Sequence, residues 1–131
     1  MSSKKDNFTS QDKKFMQLAL KLASVRKGLT GENPSVGCLI VKNDQIISIG
    51  QTGLNGRPHA EHNAIKNSVE NVRGSKMYVT LEPCNHYGKT PPCTNSIIKS
   101  GISEIIYGMD DIDKKVKGKS FKILSNKRIK V

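Results

Sequence analysis

The stretch from Val36 to Gly50 constrains the fold more than any other. Val36-Gly37-Cys38-Leu39-Ile40-Val41-Lys42 is an almost unbroken apolar run that stops at Asn43-Asp44. It reads as a buried strand, and the Asn-Asp pair reads as a tight two-residue turn. Gln45 to Gly50 is then the antiparallel return. A chain carrying such a hairpin needs helices to cover it, and the flanking segments supply them.

Thr9-Ser10-Gln11-Asp12 predicts a helix start, with a hydroxyl cap and an acidic residue three positions on. Phe15, Leu18, Ala19, Leu22 and Val25 then recur at helical spacing, so this set is expected to face inward, with Gly28 and Gly31 ending the helix. Glu32 to Ser35 is a turn, and residues 51–58 form a loop. A second helix is expected near His59, carrying Ala64, Ile65 and Val69 to the core. Lys76 to Leu81 is a third strand that ends directly at Glu82-Pro83-Cys84. Pro92 suits a first helical position, with Ile97 and Ile98 inward and Gly101 as the cap. Ile102 to Met109 is a fourth strand, Gly118 to Asn126 a short helix with Phe121, Ile123 and Leu124, and Ile129 to Val131 a last strand. The order implies an α/β fold, a three-layer α/β/α sandwich over a mixed five-stranded sheet, antiparallel at its start and parallel afterwards. Residues 1–8 are expected to be a flexible polar leader and residues 9–131 one domain.

With 131 residues, one domain with a real core is expected, although apolar residues make up only 35%. No apolar run approaches the roughly 18–20 residues that span a bilayer. The N-terminus lacks the apolar core of a signal peptide, so a cytoplasmic protein is expected. The net charge of +11 raises a nucleic-acid reading. Only Arg26, Arg57, Arg73 and Arg128 among the basic residues are arginines, and the lysines are spread without a basic block or interleaved aromatics. A solvated lysine surface accounts for the charge equally well, as does attraction for an anionic small substrate.

Three cysteines do not make a disulfide framework in a reducing compartment. Cys38 reads as a small buried hydrophobe. Cys84 and Cys93 instead sit in a polar, proline-rich loop. With His59 they form the inventory of a catalytic zinc site: three protein ligands and an open fourth position for water, whose pKa the metal lowers. His59 and Glu61 would begin one helix and Cys93 another, where the helix dipole favours a thiolate. His-Ala-Glu followed by Pro-Cys and a second cysteine fits the zinc deaminase signature, in which the glutamate is not a ligand but moves protons. In that reading Glu61 takes a proton from the water, gives it to a ring nitrogen and helps the leaving amine depart as ammonia. Blander readings exist for each part: His59 as a cap, Glu61 as a first-turn carboxylate, and the cysteines in a structural zinc site with His86 as fourth ligand.

Asn33-Pro34-Ser35-Val36-Gly37-Cys38, Gly56-Arg57-Pro58-His59-Ala60-Glu61 and Thr80 through Cys93 closely resemble the deaminase domain of the bifunctional riboflavin-biosynthesis protein, from about residue 11 onward. The eight residues between Cys84 and Cys93 are the most specific feature, since most zinc nucleoside and tRNA deaminases have two there. The resemblance implies a cytidine-deaminase-like fold, one zinc on His59, Cys84 and Cys93, and Glu61 as catalytic proton shuttle. It implies hydrolytic deamination of 2,5-diamino-6-ribosylamino-4(3H)-pyrimidinone 5′-phosphate to the 5-amino-6-ribosylamino-pyrimidinedione phosphate. Asn33 and the backbone at Ala60 would hold the pyrimidine; His86 and Lys89 would bind the ribose-phosphate. Related deaminases associate as homo-oligomers through helices flanking the site.

The sequence departs from that family at three points. Asn85 replaces a usual serine, and Thr52 replaces a substrate-contacting histidine found in many members. The family protein also continues into a reductase domain, whereas this sequence has no glycine-rich dinucleotide fingerprint, so NADPH is not expected in it. A stand-alone deaminase and a fragment separated from its reductase both fit. The competing readings are a zinc deaminase acting on another nucleobase, nucleotide or tRNA adenosine, and a non-catalytic zinc-stabilised RNA-binding module.

Overall fold

The computed structural model describes residues 9–31, 35–56, 58–81 and 93–107. The elements run α1 (Ser10–Val25), β1 (Gly37–Lys42), β2 (Gln45–Gln51), α2 (Ala60–Asn67), β3 (Lys76–Val79), α3 (Cys93–Ser100) and β4 (Glu104–Tyr107), with a 3₁₀ turn at Leu54–Gly56. The strands form one sheet in the order β2-β1-β3-β4. β1 is antiparallel to both β2 and β3, and β3 is parallel to β4. The expected fifth strand and last helix, and the leader at 1–8, lie outside the described residues.

The sheet separates its residues by strand periodicity. Cys38 and Ile40 of β1, Met77 and Val79 of β3 and Ile105 of β4 share a core with Ala60 and Ala64 of α2 and Ile97 of α3. The intervening Leu39, Val41, Tyr78 and Ile106 face the other way and pack with Phe15, Met16, Ala19 and Leu22 of α1. Helices thus lie on both faces of a mixed sheet, as the element order implied. The hairpin turn is also as read, because Asn43 and Asp44 both take positive φ (52° and 63°), the backbone of a two-residue hairpin.

Two expectations about the core need correction. Leu18 and Val25 are not inward: they are 43% and 68% exposed. α1 meets β1 so closely at Ala19 that a Cβ on Gly37 would lie 2.0 Å from the Ala19 carbonyl oxygen. Contact centred on Ala19 buries a narrow stripe, and at 3.6 residues per turn Leu18 and Val25 stand about 100° and 120° round the helix from it. Val69 lies past the end of α2, which stops at Asn67, and it is 91% exposed. α1 itself starts as read, with Thr9 and Asp12 exchanging side-chain and backbone hydrogen bonds in a capping box.

Candidate active site at the C-terminal end of β3

Cys38 of β1 pairs with Val79, the last residue of β3, on one side and with Gly50, near the end of β2, on the other. Helix α2 begins directly over this point. A Cβ on Gly50 would lie 2.3 Å from the Ala60 carbonyl oxygen and 2.6 Å from the Ala64 nitrogen. Glycine therefore lets α2 rest on the strand backbone. The Ser48 hydroxyl donates to the Ala64 carbonyl at 2.6 Å, and the Asn63 amide donates to the Gln51 carbonyl at 2.7 Å, fastening the helix along β2.

His59 is the N-cap of α2, and its imidazole makes no cap hydrogen bond. His59 holds the cap position by its backbone, whose carbonyl accepts from the Asn63 N–H at 3.0 Å. Ala60, the first helical residue, has a backbone N–H without an intrahelical acceptor. Glu61 follows in the first turn and is only 4% exposed. A carboxylate removed from water to this extent needs a partner or a task. Its charge reaches the buried Cys38 thiol beneath it. Burial first, and the Glu61 charge second, push Cys38 well above an ordinary thiol, so it is held protonated and inert.

Helix α3 (Cys93–Ser100) packs on the same face of the sheet as α2. Its cap residue Gly101 accepts from the Gly74 N–H at 2.9 Å, and the Ser103 N–H donates to the Ser75 carbonyl at 2.9 Å. The C-terminal end of α3 thus sits beside the start of β3. The N-terminal residue of α3 is Cys93. Leu81, two residues past β3, is the last described residue before Cys84. The structure places His59, Ala60 and Glu61 together at the start of α2, and the backbone of Cys93 at the start of α3. Asn33, Cys84, His86 and Lys89 lie outside the described residues, as does the Cys93 side chain. The residue types suit zinc: an imidazole that makes no cap bond and a cysteine at a helix start are its usual donors, and a buried carboxylate stands two residues from the imidazole.

Reading the sequence missed the residues that build this frame. Gly50, Ser48 and Asn63 bind α2 to the sheet, and Thr52 and Thr80 secure the start of β1. Asn63 stands two residues past Glu61 and was open to suspicion from its place in the motif. The others carried no local signal. Thr52 differs from what the resemblance would place there, being buried and bonded to the backbone of Val36.

A mixed sheet between helices, with His59 in the N-cap position and Glu61 buried in the first turn of α2, is a cytidine-deaminase-like fold. The chain belongs to the cytidine and deoxycytidylate deaminase zinc-binding family, whose model matches residues 9–109. Among its relatives, the riboflavin biosynthesis protein RibD of Haemophilus influenzae is 48% identical over 119 residues, which cover 91% of this chain and 32% of that protein. The diaminohydroxyphosphoribosylamino-pyrimidine deaminase of Buchnera aphidicola subsp. Schizaphis graminum is 45% identical over 92% of this chain and 82% of its own length. The solved structure of Acinetobacter baumannii RibD superposes with a TM-score of 0.85 at 41% identity, covering 92% of this chain and 34% of that one. The chain thus spans about a third of the RibD relatives and most of the Buchnera deaminase.

Proposed function

We propose that this chain catalyses the hydrolytic deamination of 2,5-diamino-6-ribosylamino-4(3H)-pyrimidinone 5′-phosphate, the riboflavin-pathway step, in the cytoplasm. Zinc would be held by His59, Cys84 and Cys93. When bound it supplies an activated water and positive charge for the developing transition state. The observation that carries the reading is Glu61, buried in the first turn of α2 two residues from an imidazole that does not cap the helix.

Glu61 takes a proton from the attacking water as oxygen adds to the carbon bearing the 2-amino group. It delivers that proton to the ring nitrogen, then helps protonate the amine. The carbon–nitrogen bond breaks, ammonia leaves and a carbonyl remains. Asn33 and the Ala60 backbone orient the pyrimidine, and His86 and Lys89 take the ribose-phosphate, where an imidazole and an ammonium suit an anion. The eight-residue spacing between Cys84 and Cys93 and the Buchnera relative, named a diaminohydroxyphosphoribosylamino-pyrimidine deaminase, support this substrate over a free base or tRNA.

The test is ammonia release from that substrate by zinc-loaded protein beside its Glu61→Gln variant. Wild type should turn over, and Glu61→Gln should lose on the order of 10²–10⁴-fold in kcat while keeping its metal and fold. Equal activity in the two proteins would remove Glu61 from the chemistry. Zinc-loaded wild type that releases no ammonia from this substrate, yet does so from a nucleoside or tRNA, would replace the substrate.

A further inference from the structure

Thr52 ties together three parts of the molecule. Its side chain is 1% exposed, and its Oγ1 accepts from the Val36 N–H at 2.8 Å. Its own N–H donates to the Val36 carbonyl at 3.0 Å, so the two residues are paired in both directions. Its carbonyl accepts from the Arg26 guanidinium at 3.2 Å, just past the end of α1. The next residue, Gly53, donates to the Pro58 carbonyl at 2.8 Å and so closes the loop that delivers His59.

On the other side of the same strand end, Thr80 repeats the arrangement. Its Oγ1 accepts from the Gly37 N–H at 3.2 Å and its N–H donates to the Gly37 carbonyl at 3.1 Å. Val36-Gly37 is therefore clamped between two buried threonines. One leads to His59, and the other leads from β3 towards Cys84. The backbone bonds at Thr52 would form with any residue. The Oγ1 bond to Val36 would not, and without it a buried N–H loses its side-chain acceptor.

We propose that Thr52 is a positioning residue of the active site: through its hydroxyl it fixes the start of β1 against the loop that carries His59, and substrate binding depends on that fixed spacing. It acts from beneath the site, through Val36 and Gly53. The kinetic part of the test rests on the deaminase reading; the exchange part does not.

Thr52→Val keeps the branched shape and removes the acceptor; Thr52→Ser keeps the acceptor. In zinc-loaded protein, Thr52→Val should raise KM about tenfold with kcat within about threefold of wild type, and Thr52→Ser should restore KM. Arg26→Gln, at a half-buried position, should raise KM by a smaller factor with the same split. Amide hydrogen exchange at Val36 and His59, measured without substrate, should quicken in Thr52→Val and return to the wild-type rate in Thr52→Ser. Thr52→Ser as impaired as Thr52→Val would assign the effect to the methyl group and overturn the proposal, as would unchanged exchange in Thr52→Val. Should Thr52→Val not fold, unchanged KM and exchange in Arg26→Gln would overturn it instead. Wild type without turnover, but with exchange behaving as stated, would sink the deaminase reading and with it the dependence of substrate binding, and leave only the fixing of β1 against the loop.

Discussion

The Tyr78 hydroxyl donates to the carboxylate of Asp12 across 66 residues of sequence, joining the first turn of α1 to the middle of β3. Both side chains are buried, and Phe15 packs its ring 5.2 Å from that of Tyr78. Asp12 also accepts from the Thr9 N–H, so one carboxylate caps its helix and anchors it to the sheet. Tyr78→Phe should therefore lower stability by about 1–3 kcal/mol, because a buried carboxylate loses a donor. Lys76, whose side chain is 40% exposed and 3.8 Å from Asp12, matters less, and Lys76→Met should stay within about 1 kcal/mol of wild type. Urea melts of the two variants check the order; equal losses would give the ion pair as large a share in the anchor as the tyrosine.

The same carboxylate gives stability a pH dependence. Burial alone would raise the Asp12 carboxyl, but hydrogen bonds from Tyr78 and Thr9 and the Lys76 charge outweigh it and hold the group below its ordinary 3.8. A depressed folded value means that the ionised form stabilises the fold. The contribution is present above the unfolded value and is lost as pH falls through the folded one. Melts of wild type and Asp12→Asn should differ most near neutrality and converge as the pH drops below about 4. A gap that stays constant down to pH 2 would show that Asp12 titrates alike in both states.

Gly50 carries the seat of α2, and its replacement should be felt at the site. The atoms that a Cβ would meet, the Ala60 carbonyl oxygen and the Ala64 nitrogen, are backbone and cannot swing aside. Gly50→Ala must lift the helix start, and with it His59 and Glu61. A loss of about 1–3 kcal/mol is expected, together with a fall in zinc affinity that Gly74→Ala does not share. At Gly74, where φ is +80°, a Cβ meets nothing within 4 Å, so its backbone strain is not accompanied by a displaced helix. Normal zinc affinity in Gly50→Ala would mean that α2 yields without moving its first turn.

What could be read from the sequence was local. The Asn43-Asp44 turn, the Thr9–Asp12 box, the alternation of Cys38 and Ile40 with Leu39 and Val41, and the His59-x-Glu61 spacing each depend on residues a few positions apart. The rest depends on which surface arrives from elsewhere in the chain. Nothing near Gly50 announces that a helix will rest on it, and nothing near Thr52 announces that its hydroxyl turns towards Val36. Leu18 and Val25 were misplaced for a related reason. Apolar spacing gives a helical face, but the width that is buried is set by how near the sheet approaches, and at Gly37 it approaches closely.

Cys38 offers a test of how the site is sealed from below. It is fully buried between Gly50 and Val79, under the first turn of α2, and both its burial and the charge of Glu61 disfavour the thiolate. Since the thiolate is the nucleophile, alkylation needs the protein to open there and the thiol to ionise. Peptide mapping after iodoacetamide treatment at pH 8 should leave Cys38 unmodified in native zinc-loaded protein under conditions that label it fully in urea. Labelling in Gly50→Ala should be faster than in wild type, because the lifted helix uncovers the same strand. Native labelling of wild type within about tenfold of the urea rate would mean that opening at this point is frequent. The floor beneath Glu61 would then be mobile on the timescale of the reagent, and the rigid seat inferred from Gly50 would fail with it.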